Sequence, residues 1–185
     1  MAQTKLWFRA SLRRALTAGL LAGLLPSAGA DDRAVGMSLL FQSADREVVV
    51  QRFDPDGARG PVPGAVGGLF PRGGAIMSFM PGDRGKGVPK FVVLDWLVLT
   101  PEFKEWSARD QLKSKAEQYS AARLSEYHSE WAKLPHITKR IDLTTIITPE
   151  LLAQVRADAQ GTQLKLIITF DNDEVTIKAL ADKWR

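Results

Sequence analysis

The sequence predicts an α+β fold: a small, mostly antiparallel sheet of about six strands, with one long amphipathic helix and one short helix packed on it. Three observations carry this. Phe91–Leu99 is the strongest apolar run outside the N-terminal segment; it is short, β-branched and aromatic, and bounded by Pro89 and Pro101, which reads as a strand buried on both faces. Asp110–Leu134 has a strongly helical composition, and Gln163–Phe170 alternates with Leu164, Leu166, Ile168 and Phe170 on one face.

Residues 1–30 read as a secretory signal to be removed. Lys5, Arg9, Arg13 and Arg14 form a basic start without an acid, Ala15–Leu25 an apolar stretch too short to span a bilayer, and Pro26–Ala30 a small-residue cleavage site before Asp31. The flanks of Arg13-Arg14 are unlike a twin-arginine motif, so the general export route is expected. The leader holds four of the 25 basic residues and none of the 21 acids, so the remaining chain, 31–185, carries 21 of each. Its formal charge is near zero, which removes the main support for nucleic-acid binding. With no cysteine, 31–185 must hold itself together by packing as one domain, and it has no acceptor for a lipid anchor. A soluble periplasmic protein without an integral membrane segment is expected.

Gly36–Gln42 and Arg46–Phe53 read as strands joined into a hairpin by Ser43-Ala44-Asp45, and Asp54-Pro55-Asp56-Gly57 turns the chain after them. Between Asp54 and Gly87 lie ten of the fifteen glycines and five of the ten prolines, a composition that excludes helix. Ala75–Met80 is a short strand within this region, expected to pair with Phe91–Leu99 across the Gly82–Gly87 loop.

Thr100-Pro101-Glu102 starts a helix, with Thr as N-cap, Pro in the first position and an acid in the first turn; Ser107–Asp110 offers a second start. At 100° per residue, Leu112, Ala116, Tyr119, Leu124, Tyr127, Trp131 and Leu134 form one apolar stripe, opposed by Lys113, Glu117, Arg123 and Lys133. Pro135 ends the helix, and Ile137–Leu143 alternates as a strand with one wet face. Thr148-Pro149-Glu150 starts the short helix, which runs to about Ala159; Asp171-Asn172-Asp173 turns Gln163–Phe170 into a last strand, Glu174–Leu180.

No residue pattern points to catalysis, a metal or a cofactor. His128 and His136 form no ligand pair, and neither a Gly-x-Ser-x-Gly elbow nor a P-loop occurs. Asp171–Glu174 lacks the glycine and distal glutamate of a calcium loop. Trp96 and Trp131 are expected in the core, whereas Trp106 and Trp184 are free to serve as interface anchors. The Gly/Pro-rich loops offer exposed backbone and four partner-binding candidates, Arg59, Phe70, Arg72 and Arg84, of the residue types that carry interface energy.

The order of parts resembles a group of Gram-negative envelope proteins, mostly lipoproteins, with domains of unknown function. It comprises a glycine-rich loop leading to Gly87-Val88-Pro89-Lys90, a strand ending in Asp95-Trp96, a helical insertion and a closing hairpin. Some members are encoded beside toxic lipase effectors of type VI secretion and act as their immunity proteins. The resemblance implies a protein-binding module that neutralises a secreted effector. The chain departs from the group in lacking the lipobox cysteine and the glycines of the last turn. Two other readings stay open: a periplasmic hydrolase built from scattered carboxylates, and a structural envelope protein.

Overall fold

Apolar alternation builds two sheets here rather than one. The computed structural model describes residues 35–67, 75–79 and 88–183, which lie in the unit Arg33–Arg185. The expected leader and Trp184 fall outside the described residues. The strands are β1 (Met37–Ser43), β2 (Val48–Pro55), β3 (Gly64–Val66), β4 (Ala75–Phe79), β5 (Phe91–Val98), β6 (His136–Asp142), β7 (Thr162–Asp171) and β8 (Glu174–Lys183). The helices are α1 (Pro101–Gln111), α2 (Lys115–Gln118), α3 (Ala121–Ala132) and α4 (Pro149–Ala157). One four-stranded sheet has the order β4-β1-β7-β8, the other β3-β2-β5-β6. All pairings are antiparallel except that of β1 with β7.

The fold is thus α+β and mostly antiparallel, as the sequence predicts, but the single six-stranded sheet becomes a sandwich. Met37, Leu39 and Phe41 of β1 and Leu164, Leu166, Ile168 and Phe170 of β7 share one buried core with Val48, Val50 and Phe53 of β2 and Val92, Leu94, Trp96 and Val98 of β5. This corrects the first expected hairpin: β1 and β2 belong to different sheets, because their apolar faces pack across the core instead of pairing edge to edge. The second expected pairing is corrected too. β4 lies against β1, since both edges of β5 are occupied, by β2 and β6. β3 forms inside the Gly/Pro-rich stretch, where no strand was expected, and pairs with Val48–Val50.

Trp96 is fully buried, as its place in the apolar run predicts. Its ring lies 5.2 Å from that of Phe170, and its indole Nε1–H donates to the carbonyl of Asn172 at 2.8 Å, tying β5 to the β7–β8 turn in the opposite sheet. That turn is the expected one, two residues long, with Asn172 at φ 54°. β5 is fully buried on its inner face; on its outer face only Leu97 is buried, and Phe91, Val93 and Asp95 are half-buried. Lys139, on the core-facing side of edge strand β6, reaches Glu174 at 2.6 Å. An inward lysine of this kind blunts an edge against further strand pairing.

The expected long helix is broken. Thr100 caps α1 as predicted, but the chain stops after Gln111 and restarts twice. Ser114 forms a capping box with Glu117, and Ser120 caps α3. Each break resets the helical phase, so a stripe drawn at a constant 100° loses its register. Leu112 and Tyr119 are 88% and 76% exposed, whereas Arg123, placed by the stripe on the wet face, is only 7% exposed. Leu134, Tyr127 and Trp131 do face inward, packing with Phe103 over Leu97 and Leu99 on the outer side of β5. α4, capped by Thr148, packs on β7 and β8. No helix among the described residues is long and apolar enough to cross a membrane.

Candidate functional site

The helices cover one end of the outer face of the β3-β2-β5-β6 sheet and leave the rest open. Strand register places Arg52 and Asp54 of β2, Val93 and Asp95 of β5, and His136, Thr138 and Arg140 of β6 on this face. β2 is irregular between Val50 and Arg52, a bulge that turns Arg52 outward opposite Asp95.

The loop after β2 walls this face. Asp56 and Gly57 adopt φ 48° and 76°, and the Ala58 N–H donates to the Pro55 carbonyl at 2.9 Å, closing the turn that the Asp-Gly pair predicts. Asp56 fastens the turn to β5: its Oδ1 accepts from the backbone N–H of Lys90 at 2.9 Å and of Phe91 at 3.2 Å. The chain then doubles back, and Gly60 N–H donates to the Phe53 carbonyl at 2.8 Å. A side chain at Gly60 would meet that carbonyl at 2.6 Å, so close approach demands glycine here.

Between strand and loop lies an open concavity of about 340 Å³, lined by Gln51, Arg52, Phe53, Asp54, Arg59, Gly60, Val62 and Asp95. Its acids are tucked in and engaged. Asp54 accepts from Nε of Arg52, and Asp95 accepts from Nε2–H of His136. Their side chains are 11% and 19% exposed, against 48% for Arg52. Arg59 is exposed and forms no ion pair among the described residues. Farther along the face the guanidinium of Arg140 stacks 3.5 Å over the Phe91 ring. No protein-family model, curated protein or solved structure matches the chain.

Of the four partner-binding candidates, the structure places Arg59 on the wall of this concavity; Phe70, Arg72 and Arg84 lie outside the described residues. Sequence reasoning missed Arg52, Asp54, Asp95, His136 and Arg140. Asp95 alone carried a signal, as the single charge inside an apolar run. Trp106, expected free, is half-buried inside the helical layer. Arg123 sits 3.9 Å over its ring, Glu126 accepts from its Nε1–H at 3.0 Å, and Arg123 pairs with Asp110. Trp106 therefore holds α1 to α3. Among the described residues, no three His, Asp or Glu side chains gather in a way that could hold a metal ion.

Proposed function

We propose that this chain is an exported, periplasmic protein-binding module, of the kind that neutralises a secreted effector by occupying it, and that the open outer face of the β3-β2-β5-β6 sheet is its contact surface. One observation carries the reading: Arg52 and Arg140 on the sheet face, and Arg59 on the loop that walls it, present guanidinium groups where the helices leave the sheet uncovered. The planar fork of a guanidinium loses less entropy per hydrogen bond than an ammonium does when a partner desolvates it, which suits an interface. The Gly/Pro composition of the neighbouring loop serves this role by bringing backbone close to β2.

The hydrolase reading has one observation on its side. The Asp95–His136 pair at the rim is a carboxylate holding an imidazole, the arrangement that prepares a general base. The two readings separate by experiment. Purified chain 31–185 is immobilised and exposed to periplasmic and culture-supernatant proteins, and retained species are tested for 1:1 binding by calorimetry. A stoichiometric protein partner supports the module. Absence of any partner, together with hydrolytic activity that His136→Ala abolishes, overturns it.

A further inference from the structure

We infer that the concavity beside Arg59 receives a carboxylate side chain from an acidic segment of a partner protein; this rests on the binding-module reading. The argument begins with what each charged group has left to give. A guanidinium has five N–H donors. Asp54 takes Nε of Arg52, which fixes the plane of that group, and among the described residues no hydrogen bond occupies its two terminal nitrogens. Arg59 is unpaired among the same residues. Two cationic forks therefore line one hollow of about 340 Å³.

The acids lining the same hollow are set deeper. Asp54 accepts from Arg52 and Asp95 from His136, and both carboxylates are more buried than Arg52. A ligand approaching from solvent meets donors first. A planar carboxylate matches the fork geometry with two parallel hydrogen bonds. Arg140, two strands over on the same face, extends the positive surface beyond the hollow, so a run of acidic residues fits better than one isolated acid. The size agrees: the hollow is small and open, suited to one side chain whose backbone stays outside.

The test uses chain 31–185 labelled with nitrogen-15 and two capped peptides, one with three consecutive glutamates and one with glutamines in their place. The glutamate peptide is expected to shift the amides of 51–54 and of Arg59, Gly60 and Val62, and raising salt from about 0.05 M to about 0.5 M should weaken it. Arg59→Glu is expected to lower its affinity about tenfold or more, as loss and reversal of a charge-assisted contact should. The glutamine peptide should leave those amides unmoved. Equal binding of both peptides, shifts confined to the exposed Leu112 and Tyr119 region, or an unchanged affinity in Arg59→Glu each overturn the inference. Failure of the broader reading looks different. If a full-length partner binds Arg59→Glu normally but is lost with Leu112→Ser and Tyr119→Ser, the module stands and the carboxylate site falls. If no partner binds the unaltered chain and it shows a hydrolytic activity that His136→Ala abolishes, the module itself falls.

Discussion

Trp96 does two jobs with one side chain: it fills the centre of the core and its indole N–H crosses to the opposite sheet. Trp96→Ala removes both, and equilibrium denaturation should show a loss of about 3–5 kcal/mol. Trp96→Phe keeps most of the volume but strands the Asn172 carbonyl, and should cost measurably less. Asp110 and Arg123 make a different contribution. The hydrogen bond from Arg123 holds the Asp110 carboxyl below its ordinary value of 3.8, and the indole of Trp106 lowers Glu126 in the same layer. A depressed carboxyl stabilises the fold above its unfolded value and loses that effect as pH falls through its folded one. The layer joining α1 to α3 should therefore loosen only below about pH 4. The Trp106 indole N–H, which donates to Glu126, reports this layer directly, and in Glu126→Gln its acid-side shift should be reduced.

At the scale of elements, the caps were legible because capping is local. Thr100 and Thr148 each accept from the N–H three residues on, as their Thr-Pro-Glu sequences predict. The breaks at Ser114 and Ser120 use the same local chemistry and went unread because apolar spacing suggested a continuous stripe. Ser120→Ala should destabilise α3 by about 1 kcal/mol, measured as a fall in the thermal midpoint. The turn after β2 makes a sharper demand. Gly60→Ala drives a methyl group against the Phe53 carbonyl, and a cost of about 1–3 kcal/mol is expected in chemical denaturation. That substitution should also disturb the amides of Arg59, residue 60 and Val62, since the strain is relieved by moving the wall that carries Arg59.

At the scale of the molecule, two sheets share one core, and export is proposed for the chain that forms it. On that proposal the leader is cut between Ala30 and Asp31, and N-terminal sequencing of exported protein should begin at Asp31. A protein that keeps Met1 and sediments with membranes would contradict it. By itself the sequence determined the fold class, the core face of β7, the burial of Trp96, the helix starts at Thr100 and Thr148 and the turns at Asp56-Gly57 and Asn172-Asp173. Each of these depends on alternation or on hydrogen bonds within a few residues. Only the tertiary structure decided which strands pair beyond the β7–β8 hairpin. Backbone donors and acceptors are the same on every strand, so β1 chooses β7, and β4 chooses β1, through packing across the core. The same limit applies to the candidate site. Arg59 stood out in its loop, but Asp95 meets His136 from 41 residues away, and Arg140 reaches its face only because β6 lies beside β5. Charges brought together by strand order leave no local pattern, because order is set by the burial of the opposite face.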